Sequence, residues 1–295
     1  MLDAMMNTTT EHPIVPREKL DFGLDGDIPR FWLDNDPFKS RFFDAMSTFF
    51  PEGERFFISC VRDYRDQITD PKLLAEVKDF TRQEGQHGIV HRQFNNRVKA
   101  QGVDVDLIEK VTVFVLFKVL RKVLPKSHTL ALTAAFEHMT ALMAHGFEAA
   151  KVMDKADPRI RAMYTWHAIE EVEHKAVAFD VMQKIAKVGY VHRVFALIMA
   201  TIGFPIGTFL VINRMLKADG FGLFKRTGLM AKGLWWLYKP GGLYMPILGH
   251  FMAYFKPGFH PWQTGQMEGY AVWLETFNRT GDPIAAGNAS IQAAR

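Results

Sequence analysis

Apolar residues recur at three- and four-residue intervals from about residue 37 to 187, and strand-like alternation is scarce. The stretch therefore reads as helices joined by short breaks. The pattern predicts a first helix over Phe38–Gln67, with Pro51 marking a kink or restart, because proline is tolerated in a first turn and disruptive deeper in. A second is expected over Pro71–Ala100, stopped by Gly102. A connecting helix over Asp104–Leu124, almost uniformly apolar at its centre (VTVFVLF), ends at Pro125. Two more follow at Ser127–Lys155 and Pro158–Val188, the last closed by Gly189. Asp70-Pro71 and Asp157-Pro158 each set an N-capping aspartate before a proline at the first helical position, a strong start signal.

Beyond the fourth helix the pattern changes. Val194–Ile212 holds 19 consecutive uncharged residues, enough to cross a bilayer. Gly203, Pro205 and Gly207 interrupt it, and Arg193 and Arg214 flank it, so an interfacial segment and a core helix packed on the bundle compete with a full span. Trp235, Trp236 and Tyr238 have the composition of an interfacial anchor. The tail containing YFKPGFHPW reads as loops wrapping the bundle, and its His250 and His260 carry no assignment. The expected architecture is all-α: an N-terminal tail and loop over 1–36, a four-helix bundle with its connecting helix over 37–190, and an apolar helical extension with an aromatic, Pro- and Gly-rich segment over 191–295. Residues 1–12, short and polar, read as a loose tail without a secretory signal.

Within two of the helices the same chemistry recurs. Glu84 and His87 lie 14 and 17 residues past Asp70, and Glu171 and His174 lie 14 and 17 past Asp157. Each pair is spaced i, i+3, so a carboxylate and an imidazole leave the same helix face. In a helical hairpin, residues equidistant from the turn sit level, which sends the search for partner acids upstream. Glu54 lies on an apolar stripe with Phe50, Phe57, Ile58 and Val61, whereas Glu52 reads as a first-turn acid after Pro51. On the third helix Glu137 shares a stripe with Ala134, Ala141 and Ala144; it precedes Glu171 by 34 residues, close to the 30 between Glu54 and Glu84. Glu148, only 23 before Glu171, is the backup.

The result is Glu, Glu-x-x-His, Glu, Glu-x-x-His on four helices. Buried carboxylates are costly without a neutralising cation, and four of them balance two divalent ions. That ligand set belongs to di-iron and di-manganese bundles. The rival is four inward acids paired with cations from elsewhere in the chain. His91 and His167 project from the ligand face one turn away, either as extra ligands or as hydrogen-bond partners of the ligands. His138, His145, Tyr164 and Trp166 read as ordinary residues, although either aromatic could serve electron transfer.

Composition narrows the class further. At 48% hydrophobic and 23% charged, with 25 Phe, the chain is no solvated linker. Cys60 stands alone, which excludes an intramolecular disulfide framework and a zinc ribbon and suits a reducing, cytoplasmic compartment. A net charge of +4 demands no nucleic acid, though the basic patches at Lys118–Lys126 and Lys217–Lys232 could face anionic lipid head groups at the inner face of a membrane.

The stretches FPEGERFF, QEGQHGIVH, FEH and HAIEEVEHKAVAFD resemble a bacterial family labelled "predicted metal-dependent hydrolase", placed with the ferritin-like carboxylate-bridged di-iron proteins, over about residues 12 to 265. The spacings between each lone Glu and its Glu-x-x-His are also similar to those of ribonucleotide reductase small subunits, and a Glu at the first acid position resembles bacterial monooxygenases and N-oxygenases. The resemblance implies a ferritin-like four-helix bundle with Glu54, Glu84, His87, Glu137, Glu171 and His174 as ligands, and two iron ions rather than manganese. The expected activity is O2-dependent oxidation of a small hydrophobic, lipid-like substrate, with an electron donor and a homodimeric assembly as further expectations. Hydrolysis by a dimetal-activated water is the alternative; iron storage and a metal-stabilised scaffold form a third class.

Overall fold

The computed structural model describes residues 13–294; the expected loose tail at 1–12 lies outside them. The helices, in chain order, are α1 (Pro37–Arg62), α2 (Pro71–Ala100), α3 (Val105–Val113), α4 (Lys126–Ala149), α5 (Pro158–His174), α6 (Val177–Asp180), α7 (Tyr190–Ala218), α8 (Leu223–Tyr238), α9 (Leu248–Ala253), α10 (Tyr270–Thr280) and α11 (Pro283–Ala293). No strand occurs among the described residues, so the fold is all-α. The aspartate signals act as expected: the Asp70 carboxylate accepts from the Lys72 amide and the Asp157 carboxylate from the Arg159 amide, each with proline next in the helix. Asp36 does the same for α1.

Packing of α1 on α2 and of α4 on α5, with α1 against α4 and α2 against α5 and α6, makes the four-helix bundle. Around it, α3 lies along α1, α7 lies across α1 and α4, and α8 returns against both α1 and α7. The residues from 13 to 36 form no helix, yet Phe22, Leu24, Ile28, Trp32 and Leu33 are buried in the core.

Several boundaries differ from the sequence pattern for identifiable reasons. Pro51 does not restart α1, which runs through it; the Ser47 carbonyl that a proline nitrogen cannot bond accepts instead from Asn95 Nδ2 at 3.0 Å. Glu52 is thus a mid-helix surface acid bonded to Arg55 and Arg92, not a first-turn residue. The first helix stops at Arg62, and Arg65–Gln67 is a separate 3₁₀ turn. The third bundle helix stops at Ala149; Lys151 takes a left-handed φ of 49° and a 3₁₀ turn covers Val152–Lys155. The fourth breaks after His174, resumes at Val177 and finishes in a π-helical turn over Val181–Ile185. A second π-helical stretch, Phe114–Leu120, prolongs α3. Past residue 265 the chain forms α10 and α11 rather than loops, and α11 packs on α5. Gly287 makes that approach possible, because a Cβ there would sit 2.9 Å from Ala162 Cα.

Candidate metal centre

Each bundle helix delivers its acid to one level. Glu54 on α1, Glu84 and His87 on α2, Glu137 on α4, and Glu171 and His174 on α5 are all buried. The two shared acids are Glu84 and Glu171. Glu84 places one oxygen 3.2 Å from His174 Nε2 and the other 3.8 Å from His87 Nδ1. Glu171 places one 3.5 Å from His174 Nε2 and the other 3.7 Å from His87 Nδ1. Glu137 lies on the His174 side, 3.2 Å away, whereas Glu54 groups with His87 and His167, their donor atoms within 4.8 Å of one another. The arrangement divides into two adjoining donor sets that share two carboxylates.

The outward ring nitrogens show how the histidines are held. His87 Nε2 meets Glu170 at 3.1 Å and His174 Nδ1 meets the Gln83 side-chain oxygen at 2.8 Å. An acceptor at each outer nitrogen holds a ring proton there, so loss of the second proton leaves the inner nitrogen a lone pair aimed at the carboxylates. Both acceptors trace to one guanidinium. Arg17 bonds Glu170 at 3.2 Å and Glu173 at 2.7 Å, and Glu173 in turn accepts from Gln83 at 2.9 Å and from the Tyr270 hydroxyl at 3.0 Å.

Whether metal ions fit is decided by atoms that find no hydrogen-bond partner. Both oxygens of Glu54, Glu84 and Glu137, with His87 Nδ1 and His174 Nε2, are buried and unpartnered among the described residues. Buried polar groups are normally satisfied, and no lysine or arginine reaches these. The donors present, carboxylate oxygens and imidazole nitrogens, suit iron or manganese. Burial and the neighbouring Glu84 push Glu54 well above the usual carboxylate range, and burial with Glu84 and Glu171 does the same to Glu137. Burial also works against ionisation of Glu84 and Glu171, but the adjacent histidines hold Glu84 below its ordinary value and Glu171 well below. Burial disfavours charge on His87, yet Glu170 and Glu84 raise it to about 10, and His174 is raised well above its usual value by Glu137, Glu171 and Glu84.

His167 and His91 differ in kind from one another. Asn95 Nδ2 donates to the Ser47 carbonyl, so its oxygen receives the Ser47 hydroxyl at 2.8 Å; Ser47 then accepts from His91 Nδ1 at 2.8 Å. Burial and the neighbouring His167 and His87 keep His91 neutral, so its Nε2 is bare and must accept from His167 Nδ1 at 2.7 Å. His167, itself lowered by burial and His87, is left with a bare Nε2 facing Glu171 at 2.8 Å. Two acceptors at that distance need a proton or a metal ion between or beside them. His91 has both nitrogens occupied and belongs to the supporting chain.

One cavity of about 20 Å³ adjoins His167 and Glu171, lined mainly by Met46, Phe50, Met143, Phe147 and Tyr164. A single water or a diatomic gas fits there. Thr140, on its wall, donates to Glu171.

Residues 16–265, most of the chain, match the family described as "Predicted metal-dependent hydrolase". The chain belongs to that family. No curated protein and no solved structure matches it. For this family member, metal dependence and the buried Glu and His groups point the same way.

Other residues in this hydrolase-family chain fall outside the cluster. The backup acid Glu148 accepts from the Glu268 and Gly269 amides instead. His138 packs tilted against Tyr254 and edge-on to Phe259, and His145 lies near His250. His260 bonds Asp180. Tyr164 donates to the Phe43 carbonyl and Trp166 packs edge-on to His87. Gln83, Glu170, Glu173 and Arg17 escaped the sequence reading. Three of them adjoin a ligand in QEGQH and EEVEH, so a buried acid run was the available signal; Arg17 has none.

Proposed function

We propose that this protein is a non-haem di-iron oxidoreductase of ferritin-like architecture that activates O2 to hydroxylate, desaturate or oxygenate a hydrophobic substrate. The observation that carries the reading is the small, mainly apolar cavity set against the His167–Glu171 edge of the buried donor cluster. Water in such a cavity needs two to four polar partners, and this lining supplies few. O2 needs none. Glu54, His87 and His167 would hold one ion, Glu137 and His174 the other, with Glu84 and Glu171 shared. Ferrous ions held there would supply electrons and open positions for O2 reduction, with an external donor needed to restore the electrons.

The chain's own residues set the conditions for that chemistry. Glu170 and Gln83 fix the His87 and His174 rings, while Arg17 holds Glu170 and Glu173. Thr140 holds one oxygen of Glu171 on the cavity wall. The His167–His91–Ser47–Asn95 chain fixes the His167 ring and offers a route for a proton between His167 Nδ1 and His91 Nε2. Phe50, Met143 and Phe147 exclude water and favour an apolar substrate.

The family description favours a second reading, hydrolysis by a metal-activated water. Anaerobic loading with ferrous iron followed by O2 separates the two. Oxygen consumption in proportion to bound iron, with a transient visible absorbance lost in E84A, is expected. Turnover of ester or phosphate substrates without O2, and no oxygen consumption, would replace the oxidoreductase reading with the hydrolase.

A further inference from the structure

Helices α7 and α8 form a hairpin whose outer surface is apolar. On α7, Val191, Phe195, Ile198, Ile202, Ile206 and Leu210 are exposed at intervals of three or four residues, one stripe running about 28 Å at about 1.5 Å per residue. On α8, Phe224 is 94% exposed and Trp235 66%. Single exposed apolar residues need no explanation, but a continuous stripe of this size does. The opposite side of α7 is already occupied, since Leu197, Ala200, Ile212 and Met215 are buried against the bundle. Although α7 is long and apolar enough to cross a bilayer, a helix packed along one side onto a charged bundle lies on a membrane rather than through it.

The charge around the stripe selects its partner. Residues 111–136 and 181–267 together hold fourteen Lys and Arg and one acid, Asp219, which is bound by Arg41 and Arg30. Because the chain as a whole is only +4, its remaining positions are net acidic. Lys187, Arg214, Lys217, Lys225 and Lys232 are exposed beside or beyond the apolar stripe, while Lys184 is paired with Asp180. We infer that the α7–α8 hairpin is a monotopic docking surface for an anionic phospholipid bilayer, its apolar stripe entering the acyl boundary and its cations meeting the head groups. A second copy of the chain would bring like charge against like charge across the same stripe, which disfavours a symmetric dimer there. The inference does not depend on the metal reading.

Vesicle flotation of the full metal-loaded chain tests it, with phosphatidylcholine vesicles containing phosphatidylglycerol compared with pure phosphatidylcholine. Wild type is expected to float with the anionic vesicles and only weakly with the neutral ones. The triple substitution F195S/I202S/F224S and the pair K225E/K232E are each expected to lower partitioning at least about tenfold. All the altered side chains are exposed, and unchanged far-UV circular dichroism and melting temperature verify the fold. Equal binding to both vesicle types would overturn the anionic assignment. Failure of wild type to float would overturn the docking surface itself, as would a dimer in sedimentation that the triple substitution converts to monomer without any vesicle binding.

Discussion

At residue scale, Glu170 is the first of the two acids that raise His87, with Glu84 beside it, and E170Q removes the charge while keeping an oxygen that can accept the ring proton. Metal affinity in E170Q is expected to fall about 10- to 100-fold with the melting temperature nearly unchanged, read by competition titration against a chelator. His87 also ties loading to pH. Its raised value, about 10, means that at neutral pH a proton must leave before an ion binds, so affinity should rise with pH until that value is reached. Proton release on loading, followed with an indicator dye in weak buffer, checks this; loading without release would remove His87 from the ligand set. Glu54, Glu84, Glu137, Glu171 and the two histidines were legible because ligands on a helix must repeat with the helix. Gln83, Glu170 and Glu173 were not singled out, since a residue that bonds to a ligand obeys no spacing of its own. The tautomer that separates His167 from His91 depends on Asn95, one helical turn from His91, and on Ser47, which lies 44 residues before His91 and meets it only in the fold.

At the scale of elements, the Asp-Pro starts were decisive and equally informative where they were passed over: Asp282-Pro283 opens α11 with the same capping geometry that opens α2 and α5. Helix ends were harder to read, because Lys151 and the break after His174 answer to tertiary contacts such as Lys175 Nζ bonding the Thr264 and Gly265 carbonyls. Two glycines make the role of helix approach testable. G287L forces α11 away from the Ala162 backbone and should destabilise by about 1–3 kcal/mol. G228A, in an exposed stretch of α8 where an added Cβ meets nothing, should stabilise by up to about 1 kcal/mol. Thermal denaturation of the pair measures both, and equal shifts would show that packing against α5 is not close.

For the whole molecule, the all-α class and the bundle were legible in the hydrophobic period, while the fate of the apolar stretch around Val194–Ile212 was not. Composition alone does not say which side of such a helix a bundle will cover. The burial of Leu197, Ile212 and Met215 answers that, and the exposed side is what remains. Metal removal should act on the entire fold, because without cations burial drives Glu54 and Glu137 to their protonated forms beside Glu84 and Glu171, whereas ions that bind only the folded bundle stabilise it. Loading with ferrous or manganous ions is therefore expected to raise the melting temperature by several degrees, reversed by a chelator, and E84A should abolish the shift since Glu84 touches both donor sets.

The hydrogen bonds to Glu173 come from Arg17, near one end of the described chain, and from Tyr270, near the other. Synthesis proceeds from the first of these to the second, so a nascent polypeptide can assemble all four ligand helices before the residue that finishes bracing Glu173 has left the ribosome. The full set of hydrogen bonds that braces Glu173 therefore exists only after all four ligand helices have been made.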